Sequence, residues 1–211
     1  MTELWSDRAD AYRESEAHRS GFDLDLLVEW AEGETALDVA TGGGHVARRL
    51  REAGFEVVTL DPAPGMRADV VARAEDLPFA DASFDVVVSR VAPHHFVDIR
   101  AGIAEMARVS RNLVLVSDNL FAGEQLEEAE RLRDPTHVRC YSEEEWRGLF
   151  DGAGLEVEAV VSGEKPVELD PWLERAGCED EEAERVKELL GDRVRDGRFT
   201  LDRIVLKGRL R

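Results

Sequence analysis

Four groups of residues in this chain could do chemistry. The first is Leu37-Asp38-Val39-Ala40-Thr41-Gly42-Gly43-Gly44-His45, where small residues follow a short apolar run. Small residues after a buried strand let the backbone approach a ligand, and the start of the next helix offers N–H groups without intrahelical partners. Gly42-x-Gly44-x-x-Ala47 satisfies the dinucleotide fingerprint, and Asp61 stands 19 residues after Gly42, where a ribose-binding acid belongs. Together they point to an adenosine-containing cofactor without naming it. Asp38 sits just ahead of the loop, where a carboxylate repels a pyrophosphate and attracts an amino-acid ammonium group; the plainer accounts are a loop-capping acid for Asp38 and a turn acid for Asp61.

The second group, Ala74-Glu75-Asp76-Leu77-Pro78-Phe79, is a polar-then-apolar turn suited to gripping the edge of a base. The third is His94-His95, after Pro93 and beyond an apolar run. An imidazole titrates near working pH and can remove a proton. Adjacent residues at a helix start point in different directions, so one histidine is expected to face a cleft and the other to pack. The fourth is the polar cluster Arg133, His137, Arg139 and Tyr141, read either as a solvated loop or as substrate contacts. Cys140 and Cys178 lack CxxC spacing, so neither a metal site nor a disulfide scaffold is expected.

These groups hang on an alternating pattern of elements. Residues 2–19 read as an N-terminal helix and Leu24, Leu26, Leu27, Trp30 and Ala31 as a second, broken by Gly21. Apolar strands follow at Ala36–Ala40, Phe55–Leu60, Phe84–Val91 and Leu113–Ser117, with helices after the glycine loop and over 98–109. Continuous apolar strands between helices imply a parallel sheet covered on both faces. Residues 123–134 look helical, and Ser142-Glu143-Glu144-Glu145 is a capping box opening a helix through Phe150. Leu155–Val161 is a strand, and Phe199–Leu206 a last one, alternating in part and so read as an edge or antiparallel strand. The fold class is therefore α/β, with one domain in four parts: a helical lid (1–33), a cofactor-binding core (34–163), a helical insertion (164–196) and the last strand (197–211).

Composition narrows the functions. The chain has 211 residues, 43% of them hydrophobic, and a net charge of −19. That charge opposes binding to nucleic acid or an anionic membrane. Neither a membrane span nor a signal peptide is expected, since the apolar runs are short and Met1–Asp7 has neither a basic start nor an apolar stretch. The expected setting is the cytoplasm. Only three lysines stand beside 24 arginines; an acid-rich, lysine-poor surface fits a salt-adapted host, or more plainly a high-GC genome.

The stretches LDVATGGGHVA, VVTLD, AEDLPFADASFDVVVSR, APHHF, RDPTHVRCYSEEEW and the amino-terminal YRESEAHRSGFDL resemble the class I S-adenosylmethionine-dependent methyltransferases, within them the UbiE-like small-molecule branch. The resemblance spans most of residues 12–155. It implies a Rossmann-like doubly wound, mostly parallel seven-stranded sheet with an antiparallel last strand and helical additions over the site. It also implies that Asp38, Ala40, Gly42 and Gly44 line the methionine part of S-adenosyl-L-methionine, and that Asp61 accepts both ribose hydroxyls. By the same resemblance Pro62 and Met66 flank the adenine, Ala74 meets its edge with Glu75 nearby, and Arg90 lies beside the methionine moiety or the methyl. Tyr12 and His18 fall in a helix that covers the cofactor in relatives. Two departures stand out. Arg73 occupies a position where the family often has Asp, and only 11 residues separate Asp61 from Arg73. A truncated element and a more exposed adenine side are expected there.

The reading is methyl transfer to a small-molecule acceptor at O, N or C, leaving S-adenosyl-L-homocysteine, by a monomer or homodimer without a metal. His94 or His95 is the candidate base. The rivals are a nicotinamide-dependent oxidoreductase, for which no Tyr-x-x-x-Lys pair is evident, and a non-catalytic cofactor-binding partner protein.

Overall fold

Val86, Val87 and Val88 have no exposed surface, and successive strand residues can all be buried only when both faces of a sheet are covered. The computed structural model describes residues 2–211, and the side chains of all of these except Glu16 and Ala17; Met1 and those two side chains lie outside the described residues. The strands are β1 (Thr35–Val39), β2 (Glu56–Asp61), β3 (Val70–Val71), β4 (Phe84–Arg90), β5 (Ser110–Asn119), β6 (Leu155–Glu168) and β7 (Arg198–Leu210). They form one seven-stranded sheet in the order β3-β2-β1-β4-β5-β7-β6. The first five pair in parallel, and β7 runs antiparallel between β5 and β6. This is the doubly wound Rossmann-like α/β architecture. Its order reverses between β1 and β4, and ligands of such sheets bind outside the carboxyl ends of the strands at that switch.

The helices are α1 (Thr2–Asp7), α2 (Ala9–Glu14), α3 (Glu16–Arg19), α4 (Phe22–Trp30), α5 (His45–Glu52), α6 (Ile99–Val109), α7 (Glu124–Arg133), α8 (Glu143–Gly152), α9 (Leu169–Ala176) and α10 (Asp180–Leu190). Strand side chains alternate between two helical layers. Ala36, Val86, Val88 and Leu115 meet Leu24 and Leu27 of α4 and Leu50 of α5. Leu37, Val87, Val114 and Ile204 meet Met106 of α6 and Trp146 and Phe150 of α8. The capping box of α8 forms as its sequence predicts, with the Ser142 hydroxyl accepting from the Glu145 N–H and the Glu145 carboxylate accepting from the Ser142 N–H.

Three elements differ from expectation. Residues 2–19 fold as three short helices, not one. The strand beginning at Leu155 runs on to Glu168, so the first residues of the expected insertion are β-structure. The last strand is antiparallel but not an edge: it lies inside the sheet and leaves β6 outermost. Its successive buried residues Arg203 to Leu206 need neighbours on both sides. Because β5 ends at Asn119, opposite Arg203, the segments before Arg203 and after Gly163 continue as a two-stranded ribbon past the carboxyl ends of the parallel strands. A second apolar cluster forms there, from Leu126 of α7, Trp172 and Leu173 of α9, Val186 of α10, and Phe199 and Leu201 of β7.

Between Asp61 and Arg73 the chain makes one 3₁₀ turn, Pro64–Met66, and the two residues of β3. The truncated element is thus present, but α1 closes over it. Gly65 donates its N–H to Ser6 Oγ at 3.1 Å, and Trp5 and Tyr12 pack on Ala63 and Met66. Among the described residues no helix is long and apolar enough to cross a membrane.

Candidate active site

A cavity of about 900 Å³ opens at the carboxyl ends of β1, β2 and β4, between α1–α3, α9 and the β6–β7 ribbon. The structure brings most of the residues singled out in the sequence to its walls: Asp38, Ala40, Gly42 and Asp61; Pro62, Met66, Ala74 and Glu75; Arg90, His94 and His95; Tyr12 and His18; and Arg133. Gly44, His137, Arg139 and Tyr141 do not reach it.

The turn after β1 is built from backbone conformations that ordinary residues avoid. Ala40 and Gly42 have φ of 55° and 52°, and Gly44, which begins α5, has 73°. A Cβ on Gly42 would meet nothing within 4 Å, so this side of the loop is open, whereas a Cβ on Gly43 would fall 2.7 Å from the Tyr12 carbonyl oxygen. The middle glycine therefore makes room for α2, not for a ligand. Asp61, at the tip of β2, ties the loop down: Oδ2 accepts from the Gly42 N–H at 3.0 Å and Oδ1 from the Ala63 N–H at 2.9 Å. Each oxygen keeps a further lone pair, which is what a vicinal diol requires. Burial raises its pKa above the usual carboxylate range. Asp38 Oδ2 accepts from the Thr41 hydroxyl at 2.6 Å and the Ala47 N–H at 3.1 Å. Burial nonetheless pushes this carboxyl up to about 6.

On the adenine side of the expected map, Arg73 also lines the cavity and donates to Glu75 at 3.3 Å. Glu75 Oε1 accepts from the Val97 N–H at 2.8 Å, which fixes the segment leading into α6.

Arg90 is held by a residue the sequence gave no reason to choose. Its Nε donates to Asp23 Oδ2 at 2.7 Å, its Nη2 to Asp23 Oδ1 at 3.1 Å and its Nη1 to the His18 carbonyl at 2.8 Å. Arg203 reaches the same carboxylate at 3.0 Å and donates to Asn119 Oδ1 at 2.9 Å. Burial opposes ionisation of Asp23, but the two guanidiniums outweigh it and depress its pKa. Removing one partner from such a cluster leaves a buried charge, at a cost of about 3–5 kcal/mol. His18 and Tyr12 are both in the cavity wall, and the His18 pKa is well below its usual value through burial and the nearby cations Arg175, Arg90 and Arg203.

The two histidines do not divide as expected, since both line the cavity, with ring centroids 4.1 Å apart. They differ in their partners. His94 Nδ1 donates to Asp118 Oδ1 at 2.5 Å, and the Asp118 Oδ2 accepts from the His94 N–H at 2.8 Å. Burial alone would lower the His94 pKa, but Asp118 overcomes it and the net shift is upward. His95 Nδ1 donates to the Thr136 carbonyl at 3.0 Å, and its ring meets Trp5 edge-on at 4.8 Å. Burial and the neighbouring His94 lower its pKa well below the ordinary value. Both rings thus keep Nε2 free to accept a proton. The segment before them is strained: Val91, β-branched, has φ of 53°, a conformation costing roughly 1–3 kcal/mol and found where surrounding structure enforces it.

The cluster after Arg133 disperses. Arg133 stacks on Trp172 at 4.3 Å and donates to the Trp172 carbonyl at 2.9 Å. His137 is buried behind the cavity, its Nε2 2.9 Å from Glu127 Oε1. Arg139 pairs with Glu145 at 2.8 Å and lies over the Tyr141 ring, which packs edge-on against Trp146. Spacing alone placed these residues together; the structure keeps Arg139 against Tyr141 but takes Arg133 to Trp172 and His137 to Glu127. Glu127, His137 and Cys140 bring ligand-type atoms within 4.8 Å of one another, but Glu127 is already engaged by His137, by the Cys140 N–H and by Arg131 at 3.2 Å. Sequence reading missed Asp23, Asp118, Asn119 and Arg203. Asp118 had one usable signal, a carboxylate at the end of an apolar strand.

A family profile described as "Methyltransferase domain" matches residues 37–114, which hold the glycine loop, Asp61 and the histidine pair. The chain is 30% identical to the uncharacterized methyltransferase YcgJ of Bacillus subtilis, over 88% of this chain and 82% of that protein. The crystal structure of YcgJ superposes with a TM-score of 0.81 at 26% identity, covering 90% of this chain and 98% of the other. A demethylmenaquinone methyltransferase of Corynebacterium urealyticum is 38% identical over 40% of each chain. The shared sheet, the loop and the extent of these matches agree: this chain belongs to the class I S-adenosylmethionine-dependent methyltransferases, with UbiE-like demethylmenaquinone methyltransferases among its relatives.

Proposed function

We propose that this protein binds S-adenosyl-L-methionine across the tips of β1, β2 and β4 and transfers its methyl group to an oxygen, nitrogen or carbon atom of a small molecule. The observation that carries the reading is Asp61, a buried carboxylate that anchors the open glycine loop and keeps lone pairs directed at neither backbone N–H. The residues fit the group: an open cradle at Gly42, a diol acceptor at Asp61, and a carboxylate at Asp38 that suits an ammonium and not a phosphate. In this reading Pro62, Met66 and Ala74 hold the base, with Arg73 and Glu75 at its edge, while Tyr12, His18, Ala40 and Arg90 enclose the amino-acid part. Gly44 serves by starting α5.

S-adenosyl-L-methionine supplies a methyl group already activated on a sulfonium. The protein's task is then alignment and exclusion of water, and α1–α3 with α9 roof the cavity for that purpose. Where the acceptor is a hydroxyl or an amine, His94 Nε2 takes its proton while Asp118 holds the ring and stabilises the imidazolium. In this reading His95, whose pKa burial and His94 hold well below the ordinary value, hydrogen-bonds the acceptor. The relatives named for quinone methylation support a small-molecule acceptor, and two free, buried thiols support a reducing cytoplasmic setting.

Thermal unfolding with and without ligands tests this. S-adenosylhomocysteine should raise the Tm, because a ligand bound only to the folded state stabilises it by mass action. NAD at the same concentration should not, and a shift with NAD alone would sink the methyltransferase reading.

A further inference from the structure

The part of the cavity beyond His94 is walled by the β6–β7 ribbon and α9, and its charges do not balance. Arg90, Arg203 and Lys165 all line it, whereas Asp23, the carboxylate that Arg90 and Arg203 share, lies behind the wall with no exposed surface. Lys165 Nζ donates only to the Ser20 carbonyl, at 3.2 Å. A Cβ built on Gly21 would lie 2.5 Å from Asp23 Oδ1, 3.4 Å from Lys165 Nζ and 3.7 Å from Arg90 Nη2, so Lys165 and Arg90 approach one point beside the Asp23 carboxylate. Arg175 of α9 also lines the cavity, makes no ion pair among the described residues, and buries an Nε with no hydrogen-bond partner. The Arg203 Nε is likewise buried and unpartnered. Desolvation and mutual repulsion lower the pKa of Lys165 and Arg203. Of the carboxylates on this side, Glu168 pairs with Arg198 at 2.8 Å and Glu174 is exposed, while Glu130 faces Arg133 at 3.7 Å through one oxygen and buries the other without a partner.

Lys165 and Arg175, which make no ion pair among the described residues, and the orphaned Nε of Arg203 all line one cavity of a protein of net charge −19, an arrangement that suits an anion. We infer that the acceptor carries a carboxylate or phosphate group, held by Arg203, Lys165 and Arg175, with its apolar body against Val167, Pro171 and Leu201. The inference rests on the methyl-transfer reading for the identity of the neighbouring ligand. A register pair explains the placement: Lys165 stands opposite Leu201 and Arg203 opposite Gly163, so all four share one face of the ribbon.

The test is calorimetric titration of the protein saturated with S-adenosylhomocysteine, using benzoate, phenyl phosphate and benzamide as probes. Benzoate or phenyl phosphate should bind at least about tenfold more tightly than the amide of the same shape, the scale of one charge-assisted hydrogen bond; the stronger of the two anions names the group. Lys165→Gln and Arg175→Gln, neither of which breaks an ion pair, should each reduce anion affinity about tenfold and leave S-adenosylhomocysteine affinity within about twofold. Equal binding of acid and amide overturns the inference. So does a loss of S-adenosylhomocysteine affinity in these variants with 5′-methylthioadenosine unaffected, which would give the cations to the cofactor's own carboxylate. Failure of S-adenosylhomocysteine to bind the unaltered protein is a separate result, and it removes the methyl-transfer reading together with this one.

Discussion

Asp61 and Asp118 are both buried carboxylates at strand tips, yet their partners give them different work. Asp61 binds only backbone N–H groups, so its replacement leaves no buried cation behind. Asp61→Ala is expected to weaken S-adenosylhomocysteine binding by about 1.5–3 kcal/mol, the range for hydrogen bonds to a charged group, with little change in Tm. Isothermal titration beside thermal unfolding checks this; unfolding without loss of affinity would make Asp61 purely structural. Asp118 instead raises the His94 pKa against the effect of burial. The sign follows from linkage: the ion pair contributes fully below the ordinary imidazole value of about 6.5 and is lost as the pH rises through the raised folded value. Over that same window His94 becomes able to accept a proton. In Asp118→Asn burial is opposed only by the lesser pull of Glu130 and Asp134, and NMR titration should find the His94 pKa lower than in the unaltered protein. Once an acceptor is known, His94→Ala should slow transfer ~10²-fold or more while cofactor affinity holds. An unchanged titration in Asp118→Asn would end the case for a paired base.

At the scale of elements, the roof of the cavity is assembled from parts distant in sequence. Helix α1 docks on the 3₁₀ turn at Gly65, where a Cβ would fall 2.6 Å from both the Cα and the carbonyl oxygen of Ser6. Arg8 binds the Ala176 carbonyl of α9 and Asp134 at 3.3 Å, joining the N-terminal helices to α9. Gly65→Ala must therefore push α1 off the turn while leaving the sheet intact. Faster hydrogen exchange in α1–α3, unchanged protection in β1, β4 and β5, and weaker S-adenosylhomocysteine binding are expected. Protection lost throughout the sheet would show instead that α1 is part of the core.

The whole molecule carries 46 acidic against 27 basic side chains. At a net charge of −19 the folded state repels itself. The surface pairs that oppose this, such as Arg147–Glu143 and Lys187–Glu184, are exposed and screened by solvent, so they contribute little. Screening shortens from about 10 Å at 0.1 M salt to about 3 Å at 1 M. The Tm should accordingly rise with potassium chloride over that range. A Tm that falls would mean the surface pairs outweigh the net repulsion.

Much of this was legible in the residues themselves. The alternating strands and helices, the capping box at Ser142 and the pairing of a glycine loop with an acid 19 residues on are local patterns, fixed by the period of each element and the length of one crossover. The ends of the chain were not. That β7 lies between β5 and β6 depends on pairing with two strands distant in sequence, and no spacing within β7 records that. The purpose of Gly43 is visible only when Tyr12, from a different part of the chain, is seen against it. The same holds for charge. A sequence shows which residues can ionise, but Asp23 meets Arg203 across 180 positions and His94 meets Asp118 across 24. Buried charges must find partners or change their pKa, and only the packed chain decides which partner each one has.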